Sequence, residues 1–296
     1  MRHVVWTAPL LMIAAGSSNY FGAALAVGLF DVFPPWIVAW MRMTAAGVIL
    51  CILFRPKLTH FTGRAGLQAL IYGVATLGMN AAFYQAIAQL PIGTAVAIEF
   101  SGPVVLAAVT SRNVRDWAAV IAAAVGVVVL SGAQWGGSAS GVLFALLAAI
   151  LWATYVVVGA KISGDKDSTW QSMAAGMIMS GVLASPATIA GWPHGQTEIS
   201  YWVVLAIALG LGILSAVIPY GMDLIILRLA GPAYFSVLLA LLPVTGAVVG
   251  ALSLGQMLSA AEIVGMVLVV IAVLLRTPPA AESQTVEEVE PKQPSA

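Results

Sequence analysis

Glu99 stands in the middle of an apolar run, Gly93-Thr94-Ala95-Val96-Ala97-Ile98-Glu99-Phe100-Ser101-Gly102-Pro103. A carboxylate in such surroundings can recognise an ammonium group, carry a proton, or sit neutral and hydrogen-bonded to a neighbouring helix. Pro103 lies four residues on and has no N–H, so it leaves the Glu99 carbonyl without its helical donor and kinks the helix. A free carbonyl beside a carboxylate suits an amine. Arg42 lies inside another apolar run. It can hold a carboxylate, pair with Glu99, or stretch its long stem toward a polar interface. Asp223 and Arg228, near the end of a third run, read as gating or structural charges.

Neutral polar side chains accompany these charges. Asn80 and Tyr84 are four apart and share a helix face. Tyr20 follows Ser17-Ser18-Asn19, Trp152 and Tyr155 flank Thr154, and Tyr220 follows Pro219. Taken singly, each reads as glue between helices. As a set spread over four segments they read as the lining of one cavity.

The elements that position them follow from composition. Of 296 residues, 61% are apolar and 8% charged, with 12 Lys+Arg against 12 Asp+Glu and a mean hydropathy of +1.00. Soluble domains carry about 25% charged residues, so this chain lacks the polar groups to cover a soluble surface. Its fold class is an all-α polytopic membrane protein, with the lipid bilayer as its solvent. There is no basic excess for nucleic acid. Cys51, the single cysteine, has no intrachain partner. His3, His60 and His194 fall at helix ends or in loops, so no metal site is expected. No Walker sequence and no Ser/His/Asp set is present, and no cofactor is expected.

Ten transmembrane helices are predicted over 5–29, 34–54, 66–89, 93–111, 116–134, 139–160, 170–190, 201–227, 233–253 and 259–275. Each can cross a ~30 Å core at about 1.5 Å per residue. The first is too long for a signal-peptide core of roughly 7–15 residues and reads as a retained helix. Breakers separate the spans, among them Pro34-Pro35, Gly136-Gly137-Ser138 and Gly231-Pro232. Every Lys and Arg except Arg42 falls on one side of this arrangement, and the loops after helices 1, 3, 5, 7 and 9 have none. Both termini are therefore expected in the cytoplasm. Residues 277–296, rich in Pro and Glu, read as a disordered cytoplasmic tail.

The second half echoes the first. Leu90 and Leu229, Pro103 and Pro243, and Gly126 and Gly265 recur at offsets of 139 or 140. The two prolines interrupt helices 4 and 9. Tyr20 and Tyr155 correspond at 135. Five helices per copy is odd, so the copies, 1–135 and 136–276, have inverted topology, a layout that lets two halves exchange conformations.

This layout resembles the drug/metabolite transporter superfamily, with two EamA-type repeats. Within it the chain is similar to the threonine/homoserine exporter family of bacterial inner membranes. The likeness is carried by Gly78-Met79-Asn80, Phe83-Tyr84, Leu90-Pro91-Ile92-Gly93, Glu99-Phe100-Ser101-Gly102-Pro103, Trp152-Ala153-Thr154-Tyr155, Pro219-Tyr220 and Asp223. It implies a proton-coupled exporter of small polar amino acids, not an enzyme, with Glu99 exchanging a proton for the substrate's ammonium. Two departures stand out: Leu242-Pro243 where the family often has Glu-Pro, and Gln256 where it often has Glu. Glu99 is thus left as the only mid-membrane acid expected. Alternatives are a broad efflux transporter for aromatic or amphipathic molecules and a lipid-acting membrane enzyme. A reporter fused after Arg276 is expected to signal a cytoplasmic location; periplasmic activity overturns the orientation.

Overall fold

The computed structural model describes residues 2–109, 114–162, 166–193, 200–223, 225–226, 229, 238–239 and 241–276. Arg228, the Ser111-Arg112 pair and the 277–296 tail lie outside them. The regular elements among the described residues are all helical: α1 (Arg2–Val27), α2 (Pro35–Phe54), a 3₁₀ turn (Leu58–His60), α3 (Gly63–Ile87), α4 (Ile92–Glu99), α5 (Ser101–Val109), α6 (Val114–Ile162), α7 (Lys166–Ala190), α8 (Tyr201–Gly212) with a π-helical turn (Ile213–Val217), α9 (Leu241–Leu254) and α10 (Ala260–Arg276).

Among the described residues, six helices are long and apolar enough to span a membrane: Thr7–Val27, Pro35–Phe54, Gly63–Ile87, Ser138–Gly159, Thr169–Ala190 and Tyr201–Asp223. Four shorter apolar helices, Ile92–Leu106, Trp117–Leu130, Leu241–Leu254 and Ala260–Leu275, fall where the remaining spans were expected. The protein is an all-α polytopic membrane protein.

Local chemistry sets the boundaries. Pro34-Pro35 starts α2, since a proline in the first turn forfeits an N–H that has no partner there anyway. Arg55 ends it in the left-handed region at φ 46°, its N–H bonded to the Cys51 carbonyl. Gly255 at φ +66° ends α9, and the N–H of Gln256 reaches back to the Gly250 carbonyl at 3.2 Å. Two boundaries differ from the sequence expectation. The fourth span breaks at Phe100 into α4 and α5, one turn ahead of Pro103. The fifth and sixth spans run together as α6 and part only at Ser138, whose φ −157° and ψ 65° are not helical. The Gly136-Gly137-Ser138 cluster makes a sharp bend there rather than a loop.

Helices pack through small residues, which in lipid bring backbones into dispersion contact. α3 lies on α6 and α7, α2 on α7 and α8, α1 on α9 and the π turn, α4 on α6 and α9, and α10 on α6. A Cβ at Gly73 of α3 would run into the carbonyl of Gly176 in α7. Where α6 crosses α10, a Cβ at Gly126 would meet the Gly265 carbonyl oxygen at 2.9 Å, and one at Gly265 would meet that of Gly126 at 3.0 Å.

Gly73→Ala is expected to force α3 from α7 and cost about 1–3 kcal/mol. Thermal unfolding in detergent should show a lowered midpoint. Gly210→Ala, with nothing within 4 Å of its Cβ, should leave the midpoint unchanged. Equal midpoints for the two variants would remove this account of the packing.

Candidate functional site

Pro219 shapes one wall of the site. Lacking an N–H, it leaves the Ser215 carbonyl, four residues earlier, without a helical donor. The π turn beside it sends the Ile218 N–H five residues back, to the Ile213 carbonyl, which strands the Leu214 carbonyl too. Both stranded carbonyls are used. Ser18 Oγ of α1 donates to Leu214 O at 2.7 Å, and Arg42 Nη2 of α2 donates to Ser215 O at 2.6 Å.

Arg42 is only 5% exposed, so it does not stretch to an interface. The same Nη2 donates to Asn19 Oδ1 at 3.1 Å, and Nη1 to the Tyr84 hydroxyl at 3.2 Å. The guanidinium also lies 5.4 Å from the Tyr84 ring centroid, within cation–π range. One cation therefore ties α1, α2, α3 and the π turn through neutral acceptors. Glu99 is not among its hydrogen-bonding partners. Nε is buried and has no hydrogen-bond partner.

Next to this knot is a cavity of about 320 Å³, at the low end of the roughly 300–1,000 Å³ usual for small-molecule sites. Glu99, Arg42, Asn80, Tyr20, Trp152, Tyr155 and Tyr220 all line it, as the sequence led us to expect. Tyr84 does not: it is fully buried behind Arg42, and Phe83 takes the place on the lining. Asn80 turns one amide donor onto the Thr76 carbonyl at 2.8 Å. Phe100 and Trp152 meet edge-on, 4.6 Å between centroids, and close one side. Asp223 and Leu242 also line the cavity; Pro243 is buried in α9 beside Leu242. Among the described residues, neither Glu99 nor Asp223 has a hydrogen-bond or ion-pair partner. Both are nonetheless largely buried, Glu99 to 9% exposure. Sequence reasoning placed Asp223 at a helix end and so missed its position in the cavity. It also missed Asn19 and Ser215 as partners of Arg42. The spacing of Ser215 to Pro219, which repeats that of Glu99 to Pro103, was the available signal.

The lining from α6 comes from its far end, that from the α8 span from its end, Leu242 comes from the start of α9 and Leu239 precedes it. Away from the cavity, the start of α4 is tied to α9 and to the start of α10. A Cβ at Gly93 would overlap Ala247 at 2.7 Å. Gln256 Oε1 accepts the Ile92 N–H at 3.0 Å, and Thr94 Oγ1 donates to Glu262 Oε1 at 2.7 Å. The other oxygen of Glu262 accepts both the N–H (2.9 Å) and the hydroxyl (2.8 Å) of Ser259, whose Oγ accepts the Glu262 N–H in return. This is a capping box at the start of α10.

Residues 139–277 match the EamA-like transporter family. The threonine/homoserine exporter RhtA of Salmonella typhimurium is 29% identical over 90% of each chain. That of Escherichia coli K12 is 28% identical over 97% of this chain and 96% of its own. The chain is a relative of the EamA-type transporters. The uncharacterized transporter YvbV of Bacillus subtilis is 30% identical over 46% of this chain and 48% of its own. One crystal structure, 19% identical, shares the fold with a TM-score of 0.58 over 92% of this chain and 97% of its own. The matched family and these relatives are transporters, not enzymes.

Arg42→Lys keeps the charge but loses the fork that reaches acceptors on three other segments. Hydrogen bonds to charged groups are worth about 1.5–3 kcal/mol each. The variant is expected to lower the thermal midpoint in detergent by at least about 5 °C. A wild-type midpoint would mean that the knot does not hold the helices.

Proposed function

We propose that this chain exports small polar amino acids of the threonine/homoserine class across a bacterial cytoplasmic membrane, driven by the proton gradient. The observation that carries the reading is the Glu99 carboxylate, unpartnered among the described residues and open to a closed-ended cavity in a membrane-embedded bundle. A charge at the bilayer centre costs roughly 2.5–3.5 kcal/mol on insertion scales. A protein that keeps one without a partner has a use for it. Glu99 alternately holds a proton and the substrate's ammonium group. Asn80, Tyr20, Tyr155 and Tyr220 offer neutral hydrogen bonds to the rest of an amino acid, and the positive field of Arg42 favours its carboxylate. The full-length similarity to proteins named threonine/homoserine exporters supports the cargo class.

Alternating access follows from two inverted repeats, 1–135 and 136–276. The contacts support this division. If each span is exchanged for the one five places away, the pairing of α1 with α9 becomes that of the second part of α6 with α4, and the pairing of α2 with α8 becomes that of α7 with α3. The pairings of α1 with α9, α2 with α8 and α3 with α7 are present, and α4 packs on α6. The mutual approach of Gly126 and Gly265, residues at equivalent positions, is what a pseudo-two-fold axis passing between them requires. With both termini cytoplasmic, the cavity lies toward the cytoplasm, and the Thr94–Glu262 and Ile92–Gln256 bonds close the outer side. Rocking the halves breaks those bonds and opens the other mouth.

The aromatic wall of Phe83, Phe100, Trp152 and three tyrosines favours a second reading, efflux of aromatic or amphipathic compounds. Export of labelled threonine and homoserine from overexpressing cells separates the two. Wild type is expected to export both, and Glu99→Gln to reduce export at least tenfold while eluting as a folded protein. Unchanged export by the variant rules out the role of Glu99. Resistance to toxic aromatics without amino-acid export moves the assignment to the second reading.

A further inference from the structure

Counted by charge, the cavity is unbalanced. Glu99 enters from α4 and Asp223 from the end of the α8 span. Among the described residues one cation of the lining stands against these two carboxylates, Arg42, and its hydrogen bonds go to Asn19, Tyr84 and the Ser215 carbonyl rather than to either acid. The remaining ionisable groups on the lining are the hydroxyls of Tyr20, Tyr155 and Tyr220, which are neutral near pH 7. Among the described residues, no side chain bonds Asp223 as Thr94 and Ser259 bond Glu262. Among the described residues Asp223 has no such tie. It faces the same space as Glu99.

We infer that Asp223 is a second working carboxylate of the cavity, and that the occupied site carries one net positive charge from its contents. That charge arrives either as a proton accompanying a zwitterionic amino acid or on the ligand itself, as in an amino-acid monocation. The inference rests on the amino-acid reading above. The physical reason is the cost of an uncompensated charge in a low-dielectric enclosure, which a counter-charge in the same space removes. With both acids ionised, lining and zwitterion sum to one negative charge, and a single proton on Glu99 or Asp223 brings the occupied cavity to zero. A cationic ligand does so without the proton. Two acids also permit a division of labour: one holds the ammonium group while the other keeps or surrenders the proton. A single acid has to do these in turn.

The test compares threonine with threonine methyl ester, a monocation near pH 6 because its amine remains protonated and its carboxyl is blocked. Affinities are measured on purified full-length protein in detergent, with a pH indicator in weak buffer recording protons released. Wild type is expected to bind both ligands and to release about one proton more per bound ester than per bound threonine. In Asp223→Asn the lining carries one acid fewer, so ester affinity relative to threonine should fall at least tenfold and the difference in proton release should vanish. Asp223→Glu, which restores the charge, should recover both and separates charge from folding. An ester-to-threonine ratio in Asp223→Asn within twofold of wild type, with Glu99→Gln altering it, overturns the role of Asp223 and leaves the amino-acid reading standing. Binding of neither ligand by folded wild type overturns both.

Discussion

A backbone carbonyl inside a membrane has no water to turn to, so each one that loses its helical donor must find another. The site of this protein grows from that constraint. Pro219 removes the donor for Ser215, the adjacent π turn removes the donor for Leu214, and the two carbonyls draw in Arg42 and Ser18. A guanidinium that would be prohibitive alone in lipid is thereby surrounded by neutral oxygen acceptors and an aromatic face. Because its partners sit on three other segments, satisfying the charge and assembling the helices are the same event. The walls of the cavity around Arg42, from α1, α2 and the π turn, are held by it.

The choice of neutral partners has a consequence for the acids. Had Arg42 paired with Glu99, the two charges would have cancelled and left the cavity with little to offer a ligand. Glu262 shows how this chain treats an acid whose role is structural. It is 3% exposed, accepts from Thr94 and from the N–H and hydroxyl of Ser259, and faces the positive end of α10. Glu99 is buried to a similar degree and has none of this. The contrast between two glutamates in one protein argues more strongly than burial alone, because burial is common to both.

Hydropathy and breakers made the architecture legible. Most helix limits agree within a few residues, and the loss of a donor at Pro103 foretold a break in the fourth span. The bend at Ser138 was legible as a breaker cluster, though the helix runs up to it on both sides where a loop was expected. Of the eight residues singled out for substrate binding or proton coupling, seven lie on one cavity. The eighth, Tyr84, shares a helix face with Asn80 and yet is covered, because Arg42 lies across its ring. That arrangement could not be read from spacing. Two of Arg42's partners are a backbone carbonyl 173 positions away and an asparagine 23 positions away, and no periodicity within α2 encodes either.

The departure at Leu242 shows why acids in such a protein are better counted per cavity than per helix. Read along α9, the leucine before Pro243 removes a carboxylate that the exporter family often has, and Glu99 is left alone at mid-membrane. In three dimensions Leu242 and Asp223 line the same space, one from the start of α9 and the other from the end of the α8 span. An acid missing from one helix and an acid present on another are then alternatives for supplying the same negative charge. What a bound ligand senses is the sum over the lining, whichever helix contributes each term. That sum involves Glu99, Asp223 and Arg42 from three helices, and Arg42 is held there by a proline-freed carbonyl whose importance is invisible until the bundle closes.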